Sequence, residues 1–233
     1  MPDRSDPDLL NQQQAMFTRI ARRYDLMNQI MSGWQDKYWR RYTINQAALP
    51  NSSRLLDIGT GTGKLALEAN RQDPSSQIIA TDLTLPMMEV GRTRNPGVKL
   101  DWVASETTTL PFPSNFFDAV VSGFLARNLG DVHKGLSEQY RVIKPGGKIA
   151  VLDTTRRPKT LLTPFIRLYM YRLIPLIGGL ITGDKDAYIH LYNSTETFLR
   201  AEELTAYLAA VGFKKVLFRR FMFGMIAVHW GEK

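Results

Sequence analysis

A doubly wound α/β domain is the fold the sequence predicts, and three observations predict it. Five short runs rich in Val, Ile and Leu recur between Arg54 and Leu152, separated by helical stretches. The runs are almost continuously apolar, the pattern of parallel strands buried on both faces. Strand–helix alternation then puts those helices on both sides of one mostly parallel sheet.

Taken in order, the strands are expected at Arg54–Ile58, Gln77–Thr81, Leu100–Val103, Asp118–Val121 and Lys148–Leu152. The helices between them are expected at Lys64–Arg71, Pro86–Arg94 and Val132–Val142. Pro145-Gly146-Gly147 ends the last of these and turns the chain into the next strand, since Pro and Gly commonly follow a helix end. A further helix, Ala201–Val211, stops at Gly212, and Phe213–Phe221 and Met225–His229 then read as strands with only Met222–Gly224 between them. So short a connection holds no crossover helix, so the two strands form an antiparallel hairpin that completes a seven-stranded sheet. The chain reads as a single 1–233 domain, with residues 1–50 an N-terminal helical cap and residues 160–200 an inserted apolar helical cover.

Composition removes several classes. The 233 residues are 44% hydrophobic and 22% charged, which excludes disordered, collagen-like and coiled-coil chains. With no cysteine there is no disulfide framework, thiolate metal site or cysteine nucleophile, and His133, His190 and His229 are too scattered for a zinc motif. The N-terminus has no basic region followed by an apolar run, so a cytoplasmic protein is expected. The whole net charge of +8 lies in residues 119–233. Such a skew can serve nucleic acid, an anionic membrane or an anionic substrate, and charge alone does not choose.

The strongest local signal is Asp57-Ile58-Gly59-Thr60-Gly61-Thr62-Gly63, where a strand ends and the helix from Lys64 begins. Glycines permit positive φ and close backbone approach at the strand edge where α/β sheets bind ligands. A dinucleotide fingerprint, G-x-G-x-x-G, needs glycine where Lys64 stands. The pattern resembles instead the first motif of S-adenosylmethionine-dependent methyltransferases. That resemblance implies S-adenosyl-L-methionine as cofactor, with Asp57, Gly59, Gly61 and Gly63 about it; a carboxylate suits its sulfonium and ammonium charges. Asp82, after the second strand, can accept hydrogen bonds from both ribose hydroxyls; an ordinary helix cap is the plainer reading. Glu106, after the third strand, matches the acid that in many of these enzymes accepts from the adenine amino group.

Further segments narrow the family. Tyr24-Asp25-Leu26-Met27-Asn28, Met31-Ser32, Trp39-Arg40-Arg41, Ala126-Arg127-Asn128 and the run from Arg141 to Gly147 resemble the signatures of the demethylmenaquinone and ubiquinone-pathway C-methyltransferases. Asp184, Ala187-Tyr188, Gly212-Phe213 and His229-Trp230-Gly231 add to the likeness, which covers the chain from about Met16 onward. It implies a Rossmann-like class I methyltransferase that methylates a ring carbon of a prenylated, demethylmenaquinol-like quinol. Departures fall at Asp36, where the family usually has His, at Trp34 for Gly, at Asp153-Thr154-Thr155 for Glu-Phe-Ser, and at Ala66 and Gly123 for Thr and Ser. They bear on which quinone is used.

A neutral ring carbon becomes nucleophilic when the ring hydroxyl loses its proton, so alignment and oxyanion stabilisation supply the catalysis. By its match to the family Arg127, with Asn128, is assigned to holding that oxyanion or ordering a water; a salt-bridged arginine at the core rim is the plainer reading. Tyr24, Asn28 and Tyr188 are candidate substrate or lid contacts, with core packing as the alternative. His190 is the histidine to test as a base, His229 reads as structural and His133 as an exposed residue at a helix start.

Leu161 to Gly183 is apolar, but Arg167, Arg172, Pro164 and Pro175 argue against a membrane span. It reads as a cover that receives a prenyl tail and rests on a bilayer, with Arg156, Arg157 and Lys159 meeting anionic headgroups; a buried helix pair is the alternative. The expected partners are therefore a small prenylated quinol, the periphery of an anionic membrane and a second copy in a homodimer. No nucleic acid is expected, for want of an added RNA-binding module or an Asn-Pro-Pro-Tyr-like motif. A methyltransferase of another lipid or small aromatic acceptor shares every cofactor residue, and a non-catalytic binding module shares the fold.

Overall fold

The computed structural model describes residues 7–156 and 168–233. Its strands are β1 (Arg54–Ile58), β2 (Gln77–Asp82), β3 (Asp101–Ala104), β4 (Phe117–Gly123), β5 (Ile143–Thr154), β6 (Lys214–Phe221) and β7 (Ile226–Glu232). They form one seven-stranded sheet in the order β3-β2-β1-β4-β5-β7-β6. The first five run parallel, and β7 is antiparallel to both β5 and β6, as the hairpin reading requires. The helices are α1 (Pro7–Ser32), α2 (Asp36–Ala47), α3 (Lys64–Gln72), α4 (Leu85–Arg94), α5 (Val132–Val142), α6 (Ile174–Thr182), α7 (Lys185–Glu196) and α8 (Ala201–Val211).

The apolar strands are buried on both faces because successive side chains point to opposite sides of a sheet. Leu55, Ile78, Ala80, Ala119, Val121 and Ala150 meet Ile44 of α2 and Leu65 and Ala69 of α3. Their neighbours Leu56, Ile79, Val120, Ile149 and Val151 point the other way, onto Leu136 of α5 and Leu204 and Leu208 of α8. The sheet is thus a middle layer, and its helices cover it on either side.

One turn differs from expectation. Pairing begins at Ile143, ahead of the expected Lys148, and Pro145-Gly146-Gly147 lies inside β5. The turn does not interrupt pairing because Gly146 N–H donates to Lys233 O at 2.9 Å and Gly147 O accepts from Lys233 N at 3.0 Å. The register on β4 shifts between Phe117 and Ala119 to absorb the extra length. In the hairpin, Met222–Gly224 makes one 3-10 turn, with Met222 and Phe223 at φ 48° and 54°.

Of the expected apolar cover, Leu161, Pro164 and Arg167, together with Arg157 and Lys159, lie outside the described residues. What is described starts at a π-type turn, Tyr169–Leu173, that runs into α6. Pro175 lies inside this continuous helical run and has no N–H to give the turn before it, and the widened turn at Tyr169–Leu173 falls just ahead of it. Gly183, at φ 78°, ends that helix, and Asp184 caps α7 by accepting from Ala187 N at 2.9 Å. α1, α6 and α7 share a small core of their own, with Met16, Ile20 and Met27 against Ile174, Ala187, Tyr188 and Leu191.

Candidate active site

The loops that leave β1, β2, β3 and β4 gather at one edge of the sheet beneath α1. Gly59, Gly61 and Gly63 all hold positive φ, at 63°, 56° and 79°. Two of them also make room for side chains: a Cβ at Gly59 would stand 2.7 Å from Leu125, and one at Gly63 2.6 Å from the Trp102 ring. Gly61 has a different task. Its N–H donates to Asp82 Oδ2 at 2.8 Å, and Thr84 N donates to Asp82 Oδ1 at 2.7 Å. Asp82 thereby ties the glycine turn to the end of β2. Burial holds its carboxyl above the ordinary range, against the pull of those donors.

Asp57 is buried beneath the turn. Its Oδ2 accepts from Thr60 Oγ1 at 2.6 Å and from Ala66 N at 3.0 Å, while Oδ1 has no hydrogen-bond partner among the described residues. Burial pushes its pKa up to about 7.

A cavity of about 400 Å³ opens above this turn, within the size range of small-molecule sites. Gly59, Gly61, Asp82 and Glu106 line it, as expected of cofactor residues; Asp57 and Gly63 do not. Asp57 Oδ2 fixes the turn and the start of α3, and the missing side chain of Gly63 makes space for Trp102. Phe17 and Tyr24 of α1, Arg40 of α2 and Asn128 complete the wall. Arg40 Nε and Asn128 Oδ1 are buried there without hydrogen-bond partners among the described residues. Exposed Glu106 holds Thr108 Oγ1 on one oxygen.

A second cavity, about 80 Å³, shares Phe124 with the first as a wall residue. Asn28, Tyr188 and Arg127 line it, while Tyr24 and Asn128 belong to the first. Arg127 is 6% exposed and paired with fully buried Asp153, Nη1 to Oδ1 at 2.7 Å; Arg127 N also donates to Asp153 Oδ2 at 3.2 Å. The salt-bridged reading and the cavity-facing one therefore hold together. Arg127 and Arg40 both lie against the Phe124 ring, at 5.2 and 5.6 Å from its centroid. Tyr188 is pushed up to about 12 by burial, so its phenol stays a donor at neutral pH. Asn28 Nδ2 and Trp39 Nε1 are buried donors without partners among the described residues.

The histidines stand apart from both cavities. His229 bonds Ala201 O at 2.9 Å, and burial drops its pKa to about 4. His133 is exposed at the start of α5, and His190 lines neither cavity. Sequence reasoning missed Asp25 as a functional residue. Its carboxylate accepts from Thr62 Oγ1 at 2.7 Å and pairs with Lys64 and Arg94 at 3.2 Å each, which clasps α1 to the glycine turn and to α4. It also missed Arg40, Trp39 and Asp153, whose roles appear only when distant segments meet.

A mostly parallel seven-stranded sheet with an antiparallel end, a glycine turn after β1 and an acid after β2 define a class I methyltransferase. Solved structures agree on the fold: a SAM-dependent methyltransferase from Aquifex aeolicus matches with TM-score 0.61 at 17% identity over 89% of this chain and 97% of that one. Phosphoethanolamine N-methyltransferase 2 of Haemonchus contortus, in complex with S-adenosyl-L-methionine, matches with TM-score 0.63 at 16% identity over 84% and 52%. The chain belongs to the ubiE/COQ5 methyltransferase family, whose model matches residues 9–233. It is 41% identical to a ubiquinone/menaquinone biosynthesis C-methyltransferase of Desulfotalea psychrophila, over 94% of this chain and 89% of that protein. It is 38% identical to a demethylmenaquinone methyltransferase of Thermus thermophilus, over 94% and 100%. The chain is thus a methyltransferase, and its methyl donor is S-adenosylmethionine. The first cavity suits that donor: each Asp82 oxygen has taken one N–H and keeps a lone pair for a hydroxyl, and Arg40, whose Nε makes no hydrogen bond and only a 3.6 Å ion pair with Asp36, can turn to a carboxylate. Among the described residues no helix is long and apolar enough to cross a membrane, and no group of acids and histidines could hold a metal ion.

Proposed function

We propose that this enzyme methylates a ring carbon of a prenylated, demethylmenaquinol-like quinol in menaquinone or a related quinone pathway. The observation that carries the reading is the second cavity, joined to the first across one aromatic ring. It combines apolar walls with buried donors suited to a ring oxygen. Bound S-adenosylmethionine supplies an electrophilic methyl group. Gly59 and Gly61 present backbone to it, Asp82 accepts from its ribose hydroxyls, Glu106 accepts from its adenine amino group and Arg40 holds its carboxylate.

In the second cavity Arg127 faces the ring oxygen. A guanidinium keeps its charge at all working pH, so it stabilises the oxyanion rather than removing the proton. Asp153 fixes its orientation. Tyr188 and Asn28 donate to the ring oxygens, Asn128 steadies the wall nearest the methyl group, and Tyr24 closes the roof. The cavity is smaller than the roughly 150 Å³ that holds benzene in other proteins. Three of its wall residues are Met31, Met222 and Met225, and unbranched thioether chains repack readily around a ring. Pure protein incubated with labelled donor and a panel of reduced prenylated naphthoquinols and benzoquinols tests the reading. Methyl incorporation into a small phenol or a lipid headgroup, with none into prenylated quinols, would refute it.

The greasy tail calls for a membrane periphery. Leu176 and Leu180 of α6 are exposed, as are Leu168, Tyr171 and Leu173 of the turn that leads into it. Arg156 is engaged with Glu203 at 3.2 Å, so Arg172 is the better-placed cation for lipid heads. Flotation with anionic vesicles should show binding that weakens with salt and is lost in Leu176→Asp/Leu180→Asp, with methyl transfer to a water-soluble short-tail quinol unchanged.

A further inference from the structure

We propose that Asp36 accepts the ring-hydroxyl proton of the acceptor. The inference rests on the quinol reading of the second cavity and assigns it the group that reading leaves out. Asp36 is 6% exposed and forms part of the cavity wall. Its oxygens are loosely held: Oδ1 takes Ser32 Oγ at 3.4 Å, and Oδ2 lies 3.6 Å from Arg40 Nε. Both are longer than the charge-assisted bonds usual for a buried carboxylate. Spare carboxylate lone pairs on a largely apolar wall are what an incoming hydroxyl needs.

The other charged and titratable groups of the cavity do not serve. From its own helix Asp36 meets Arg40; across the cavity stand Arg127, from the turn after β4, and Tyr188, from α7. Arg127 cannot take a proton. Tyr188, raised to about 12, holds its own. Asp153 lies behind Arg127, outside the cavity wall, and also accepts from Thr154 N at 2.7 Å. Among the described residues of this wall, Asp36 is the carboxylate that remains.

In the transfer the ring O–H bond breaks, its electron pair stays on oxygen and spreads to the adjacent ring carbon, and the proton passes to an Asp36 oxygen. When the methylated ring regains aromaticity, its carbon gives its hydrogen to water as a proton and Asp36 returns its own to the oxygen. One proton is released in all. The same geometry selects the oxidation state, because a hydroquinone brings a hydroxyl to Asp36 and a quinone brings only an acceptor, which the carboxylate repels.

The test uses the full chain with a short-tail demethylnaphthoquinol and its quinone. Asp36→Asn should cut turnover about 100-fold or more while donor affinity by calorimetry stays within about two-fold. The acid limb of its pH profile should vanish. In Asp36→His activity should return in part, with the limb moved toward the imidazole range near pH 6.5. Binding gives an independent readout through quenching of tryptophan emission. The wild type should prefer hydroquinone over quinone about ten-fold, and Asp36→Asn should lose that preference. Wild-type turnover with Asp36→Asn unchanged in rate, pH limb and preference overturns this proposal alone. A wild type that neither methylates nor binds either form overturns the quinol reading and this proposal with it.

Discussion

Below the glycine turn the chain largely satisfies itself. Thr60 N donates to Thr81 O, Gly61 N to Asp82 and Ala66 N to Asp57, and among the described residues Asp57 Oδ1 is left over there, with Arg40 Nε and Asn128 Oδ1 on the cavity wall above. Across Phe124, under α1 and α7, the chain stays incomplete: Asn28 and Trp39 keep unused donors, Asp36 is loosely held and methionines fill the wall. The donor side is built from backbone, so it is rigid before anything binds. The acceptor side is built from side chains, which on the proposed reading a ring with two oxygens would complete. A methyl donor common to many enzymes can be gripped by main chain, while the choice of acceptor falls to side chains that are cheap to vary.

The strongest way to break this contrast is Arg127→Ala. Turnover should fall about 100- to 1,000-fold with donor affinity unchanged. Because buried Asp153 loses its partner, urea unfolding should also register a loss of about 3–5 kcal/mol. Equal losses of donor affinity and turnover would mean that the two sides are not separate. Next in size is Asp82→Ala, for which calorimetry should find donor affinity about 10- to 100-fold weaker, the equivalent of one or two good hydrogen bonds to a charged group. Normal affinity in that variant would refute the ribose assignment.

Gly63→Ala probes the rigid side through stability. It puts a side chain at φ 79° and drives it into Trp102, so a loss of about 1–3 kcal/mol is expected, with the ligand-lining residues untouched. The smallest effect is a pH slope. Burial raises Asp57 from 3.8 to about 7, so between those values the folded state keeps a proton that the unfolded chain has shed. Its contribution is full below about 3.8 and is lost as pH rises through about 7. His229 runs the other way: lowered from 6.5 to about 4, it makes stability rise with pH across that interval. The slopes oppose one another, so the wild type should be flatter than either variant. Urea midpoints should fall with pH in His229→Gln and rise with pH in Asp57→Asn.

The donor side was largely legible in the sequence because its signals are local. The strands announce themselves as apolar runs, and Gly59, Gly61 and Asp82 sit beside the turns they make. Even there, letters do not say which way a missing side chain points, so Gly63 reads as a ligand contact until Trp102 of β3 is seen against it. The letters likewise do not show that one Asp57 oxygen is held by Thr60 and Ala66 and the other left open. The acceptor side was legible mainly through family likeness, which marks Arg127 and Tyr188 without their partners. Asp153 lies on β5 and Asp36 on α2, and only folding brings the one behind Arg127 and the other onto the cavity wall. Asp25 joins α1 to Thr62 and Arg94 for the same reason, through contacts that no local period encodes.

Phe124 holds its backbone at φ 60°, a conformation that large side chains rarely adopt, and stands against Arg40 on one chamber and Arg127 on the other. With donor and acceptor seated as proposed, each would lean on the same residue. The order of arrival, and how far a first guest tightens the hold on a second, thus become properties of a single phenyl group. Replacing it with a smaller residue would merge two rooms into one and uncouple their occupants.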